Sequence, residues 1–152
     1  LLKVKLIYPD SNTELEILNR IEAGIFSEGH AVVSVDDILY LQELTKRVYM
    51  DDSIKDYIVR IVDATRHPAK FIPKELAEYV TIGSSIRGAI CLMEVAKAIA
   101  LLNGRDYVTP DDVKAHIYPV LRHRIALNFA AVADGVNEDK IIETILGAIP
   151  TP

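Results

Sequence analysis

One cysteine, Cys91, occurs in 152 residues. A single thiol excludes an internal disulfide framework and a multi-thiolate zinc site. The chain also lacks a basic excess, with 17 Lys and Arg against 22 Asp and Glu. Non-specific nucleic-acid binding needs clustered cations that displace counterions, so an acidic balance argues against it. No long apolar run is present. The longest, Ala89 to Leu102, is broken by Glu94 and Lys97, and a membrane span needs about 20 apolar residues. Leu1 to Tyr8 is too short for a signal peptide and is followed by Pro9. These absences lead us to expect a cytoplasmic protein with neither a membrane span nor a nucleic-acid partner.

Phosphate-loop and metal signatures are absent too. Gly83 to Gly88 and Gly24 to Gly29 both have the spacing of a phosphate loop, yet neither continues with Lys and Ser or Thr. The lysine reaches the phosphates and the hydroxyl binds magnesium, so both are rejected. His30, His67, His116 and His123 offer no pair at helical ligand spacing, and no metal site is expected. Cys91 lies in the most apolar stretch, where a buried core thiol is the natural reading.

What is present is a good core composition. Half of the residues are hydrophobic, which rules out disorder and suits one domain of this length. The chain opens on Leu1 within an apolar alternation, as a piece of a longer protein would. Leu2, Val4 and Leu6 alternate with Lys3 and Lys5, predicting a strand that Tyr8-Pro9 ends. Ser11 to Glu14 reads as a capping box, opening a helix with Leu15, Leu18 and Ile17 or Ile21 buried and Gly24 as its stop. Residues 25 to 33 read as a loop.

Ser34 caps a second helix with Ile38, Leu41 and Leu44 inward, and Asp51 caps a third. Ile54, Tyr57, Ile58, Ile61, Val62 and Thr65 make the cleanest apolar stripe in the chain. Residues 66 to 83 read as a long connection with a short helix near Lys74 to Tyr79. Ser84 or Ser85 then caps the central, most buried helix, stopped by Gly104. Thr109-Pro110-Asp111-Asp112 opens another, with Val113, Ile117, Val120 and Leu121 inward. Ile125 to Leu127 reads as a short extended piece, and Asn137 caps a last helix. The fold class is therefore mainly α, a bundle of about six helices with a short N-terminal strand.

Arg87 stands out. It falls in the first turn of a helix, where a cation opposes the positive end of the dipole. Such local conflicts concentrate at functional sites. Its guanidinium either meets a phosphate, which its planar fork matches, or pairs with a nearby acid. Arg122-His123-Arg124 is either a small anion patch or a complement to a helix C-terminus.

Several stretches together resemble the MoxR family of AAA+ ATPases: Asp56-Tyr57-Ile58, Asp63 to Pro68, Gly83 to Ala89, Gly104 to Lys114 and Val120 to Ile125. The strand ending in Tyr8-Pro9 and the helix after it resemble the end of an AAA+ core running into its lid. The resemblance covers nearly the whole chain, in order. It implies that residues 1–9 are the last strand and hinge of the core and that residues 10–152 are a helical lid of AAA+ type. It also implies that Arg87 is the sensor-2 arginine acting on the terminal phosphates of ATP, as the catalytic residue of this piece. Ser85 beside it, and Tyr8, Pro9 and Ile17 at the hinge and first lid helix, become the implied nucleotide-binding residues; for Ile17, plain core packing is the other reading. Magnesium would be held by core acids outside these residues, so the piece alone would not hydrolyse ATP. The implied partners are its own core, neighbouring subunits of a hexameric ring and a client protein remodelled in a chaperone-like way. Ile86 departs from the family, which commonly has proline there. The rival reading is a helical scaffold or interaction module with no nucleotide role.

Overall fold

The computed structural model describes residues 1–25 and 29–152. Nine α-helices and a two-stranded sheet account for most of them. Four helices carry the architecture: α2 (Val35–Arg47), α3 (Asp52–Arg66), α5 (Ile86–Leu102) and α9 (Glu138–Ala148). α5 lies at the centre, against α2, α3, α6 (Pro110–Ala115) and α7 (Ile117–Leu121). The sequence explains this placement, because Gly88, Ala89, Cys91, Leu92, Val95, Ala96 and Ala100 of α5 are all buried. Three alanines and a glycine on that helix let its neighbours approach closely.

α3 buries the stripe its sequence predicts, from Ile54 through Thr65. α9 closes the far side of α3 with Ile141, Ile142 and Ile145. Caps at Ser34, Asp51, Ser85, Thr109 and Asn137 fall where the sequence places them. Gly104 takes φ +72° after α5, a backbone conformation that side chains with a Cβ rarely adopt.

Elsewhere the structure corrects the expectation. Leu2 to Leu6 forms no strand: the segment has no sheet to pair with, and its one backbone bond here runs from the Lys3 N–H to the Pro119 carbonyl. In the first helix, α1 (Ser11–Glu22), the cap is Asp10 rather than Ser11, accepting from the Thr13 N–H at 2.8 Å. α1 buries none of its residues. Leu15, Ile17, Leu18 and Ile21 have no surface here to cover them, so the core-packing reading of Ile17 does not hold. Of the three positions expected to face inward in α2, Leu44 is half-buried, while Ile38 and Leu41 are exposed. The loop expected over residues 25 to 33, and the rejected Gly24 to Gly29 spacing, include residues 26–28, which lie outside the described residues.

The single helix expected after Thr109 is two, α6 and α7, separated at His116 with φ −123°. Pro119 has no N–H to offer across that junction. The connection after α3 holds a 3-10 turn, the short α4 (Lys74–Ala77) and a strand, β1 (Val80–Ile82). β1 pairs antiparallel with β2 (Ala126–Leu127), the extended piece the sequence suggests. A further short helix, α8 (Phe129–Ala133), was not expected; the Tyr79 hydroxyl donates to Asp134 at 2.6 Å and the Asn128 side chain donates to the Glu78 carbonyl at 2.9 Å, fixing it beside β1. A parallel bridge between Tyr49 and Tyr107 ties the link before α3 to the link after α5.

Candidate functional site

The site is the turn that carries the chain from β1 into α5. Gly83 sits where a Cβ would stand 2.3 Å from the Thr65 carbonyl oxygen. Only glycine fits against the end of α3 at that distance. The next residue, Ser84, is buried, and its N–H donates to the Thr65 hydroxyl at 2.9 Å. That hydroxyl donates in turn to the Val62 carbonyl at 2.7 Å. At Gly88 a Cβ would lie 2.0 Å from the Ser84 hydroxyl and 3.3 Å from a Leu121 methyl. The glycine spacing therefore serves close packing of backbone, and its first and last members are both explained without a phosphate.

Ser85 is the N-cap of α5, its hydroxyl accepting from the Arg87 N–H at 3.3 Å. Ile86 and Arg87 are the first two helical residues, and all three are exposed. Ile86 stands where the resemblance leads one to expect proline. Its side chain borders an apolar cleft of about 180 Å³ between α3 and α5, lined also by Ile58, Val59, Ile90 and Met93. The helix starts cleanly without the proline because Ser85 caps it.

Arg87 forms no ion pair and no side-chain hydrogen bond among the described residues. The acid-pairing reading of this residue finds no acid to support it. Its guanidinium stands at the positive end of a 17-residue helix, with no local charge compensating it. The arrangement can receive an anion whose charge comes from elsewhere.

Three other arginines of the lid are engaged by partners within the chain. Arg105 meets Asp112 through two bonds, of 2.6 and 2.8 Å. Arg122 meets Asp139 in the same two-pronged way, at 2.7 and 2.8 Å. Arg124 donates to the Val120 carbonyl at the end of α7, complementing that helix terminus. So Arg122 to Arg124 divides between an ion pair and a helix-end complement, and no free anion patch remains. Burial and the neighbouring Arg124 push the His123 imidazole below its ordinary value. Arg124 also reaches Cys91, which is buried as expected.

Tyr8 is almost fully exposed and Ile17 half so, and Pro9 is exposed with them. No hydrogen bond, ion pair or shared cavity among the described residues joins these three to Ser85 or Arg87. The residue that sequence reasoning undervalued is Thr65. It lies on the apolar stripe of α3, and a hydroxyl there needs a buried partner; that requirement was the available signal.

Comparison with known proteins bears on the whole chain. Residues 74–145 match the AAA lid domain family. The chain is 34% identical over 153 residues to Chaperone MoxR1 of Mycobacterium tuberculosis, covering all of this chain and 40% of that protein. It is 38% identical over 154 residues to the uncharacterized protein YeaC of Bacillus subtilis, covering all of this chain and 45% of that one. Half of the chain matches Protein MoxR of Paracoccus denitrificans at 35% identity, covering 24% of it. A crystal structure of a candidate ATPase from Cytophaga hutchinsonii superimposes on 99% of the chain with TM-score 0.89 and 39% identity, and the chain covers 46% of it. The chain thus spans less than half the length of the relatives it matches.

Proposed function

We propose, starting from a chain that carries the AAA lid domain of a MoxR-like ATPase, that this lid closes over ATP and that Arg87 supplies positive charge to its terminal phosphates. In this reading residues 1–9 are the end of the ATP-binding core and residues 10–152 are the lid. The core belongs to the part of the relatives that this chain does not span. One observation carries the reading: Arg87 is an exposed guanidinium, unpaired among the described residues, on the first turn of the buried central helix. Its helix gives it no electrostatic return, and an anion brought by a partner would.

The chemistry follows. Phosphoryl transfer spreads charge over the oxygens of the γ-phosphate, and catalysis consists of positioning and charge stabilisation. A planar guanidinium offers two parallel donors to those oxygens. Ser85 holds the first turn in place by accepting from the Arg87 N–H. Magnesium accompanies ATP and neutralises charge on its phosphates. This chain's residues do not fit that ion, because the described residues contain no cluster of three His, Cys, Asp or Glu able to hold one; its ligands belong to the core. Tyr8 and Pro9 form the hinge in this reading, with Ile17 on the first lid helix facing the nucleotide from the side. Closure around ATP changes the angle between core and lid, and in a hexameric ring that motion reaches neighbouring subunits and a client protein.

The test is Arg87→Ala in the full-length parent. We expect ATP turnover to fall by about 100-fold or more, with the melting temperature unchanged because the side chain is exposed. Unchanged turnover would remove the sensor role and leave the lid as a helical scaffold without a nucleotide function.

A further inference from the structure

We infer that Thr65, on α3, is the positioning residue for Arg87, which lies on α5; this rests on the sensor reading above. The two residues belong to different helices, and the Thr65 hydroxyl is the joint between them. It donates to Val62 within α3 and accepts from the N–H of Ser84, two residues before the helix that bears Arg87. Both Thr65 and Ser84 are 1% exposed, so water does not compete for either bond.

Three features make this joint stiff. The absent side chain of Gly83 lets the backbone lie directly on the Thr65 carbonyl. The absent side chain of Gly88 leaves room for the Ser84 hydroxyl, so Ser84 is held between α3 and the first turn of α5. Ser85 then fixes the first turn through its bond to the Arg87 N–H. From Thr65 the path runs through Gly83 and Ser84, both held by close packing, to the exposed cap at Ser85. Such rigidity has a use at a phosphate site, where a misplacement of 1 Å can cost about 100-fold in rate. The joint thus sets where the root of the long Arg87 side chain stands.

The prediction is specific to the hydroxyl. In the full-length parent, Thr65→Val keeps the branched shape and removes both bonds. We expect turnover to fall about tenfold with a smaller change in KM for ATP. Thr65→Ser restores the hydroxyl and should bring turnover to within about twofold of the parent. Combining Thr65→Val with Arg87→Ala should add almost nothing to the loss from Arg87→Ala alone, because residues acting as one unit are not additive. Binding of a fluorescent ATP analogue provides a readout independent of turnover and should show the same non-additivity. If the valine chain does not fold, Thr65→Ala takes its place with the same expected loss.

Parent-like turnover in a folded Thr65→Val or Thr65→Ala chain overturns the proposal. So does a Thr65→Ser chain as slow as the valine form, or full additivity with Arg87→Ala. Parent-like turnover in Arg87→Ala alone is a different result: it removes the sensor role on which the proposal stands.

Discussion

Arg105 and Asp112 show what a cation looks like when its partner is built in. The carboxylate is 4% exposed, takes two bonds from Arg105, and also accepts from the Thr109 N–H and hydroxyl. It thereby serves as ion-pair partner and capping residue of α6 together. Asp112→Ala should cost about 1 kcal/mol or more in chemical denaturation, since it removes the cap of α6 and the counter-charge of a partly exposed guanidinium. The bond from Arg105 holds the Asp112 carboxyl below its ordinary value of 3.8. A depressed folded value means stability that is complete above the unfolded value and disappears as pH falls through the folded one. Unfolding midpoints measured below pH 4 should therefore drop faster in the parent than in Asp112→Ala. Equal acid sensitivity of the two chains would deny Asp112 this part. Arg87 differs in each respect, being exposed, unpaired among the described residues, and at the wrong end of its helix for its charge.

At the scale of elements, α9 packs on α3 alongside α5 and helps to complete the core. Ile141, Ile142 and Ile145 are each at most 1% exposed, and Asp139 at its start is clasped by Arg122. Ile145→Ala should cost about 3 kcal/mol by transfer and cavity formation, lowering the melting temperature by roughly 10 °C in a chain of this size. A calorimetric shift of only a degree or two would mean that α9 is peripheral. The same helix shows what the sequence made legible. Strong periodic stripes with polar caps, as in α3, α5 and α9, declare both their existence and their buried face. The residues of α1 and α2 also carry helical apolar patterns, yet Leu15, Leu18, Ile38 and Leu41 are exposed. Periodicity reports that a helix has an apolar face, not that its partner belongs to the same stretch of chain. Short pieces were harder. β1 and α8 are too brief for any period to register, and the break at His116 depends on how two neighbouring turns meet rather than on local preference. Within the site, Arg87 was visible as a charge at odds with its helix, and Ser85 as a cap. Gly83 and Thr65 each stand in a readable motif, but their contact joins a helix end to a distant turn and no local pattern announces it.

The whole molecule divides into a well-covered body and an uncovered beginning. No residue before Val48 is buried among those described, while the hydrophobic core runs from Val48 to Ile149. The exposed apolar faces of α1 and α2 exceed what isolated surface residues explain, and contiguous patches of this kind mark interaction surfaces. A chain trimmed to residues 34–152 should keep a melting temperature within about 3 °C of the 152-residue chain, because α1 contributes nothing to the core. A fall of 10 °C or more would show that the first segment is structural after all. In the full-length parent the same trimming is not neutral on the proposed reading, since it removes the hinge.

The bridge between Tyr49 and Tyr107 has a kinetic meaning. It joins two parallel segments, with the Tyr49 N–H donating to Asp106 and the Val108 N–H donating back to Tyr49, while α3 and α5 both lie in the loop it closes. Closing a loop costs entropy that grows with its length, so two short backbone bonds are a weak reason to bring such distant positions together. The cost falls once α3 and α5 have docked, because docking shortens the remaining search. The bridge should therefore form late in folding, and contacts along Thr65, Gly83 and Ser84 should form before it. Substitutions at that joint should slow refolding, whereas substitutions at Tyr49 should mainly quicken unfolding.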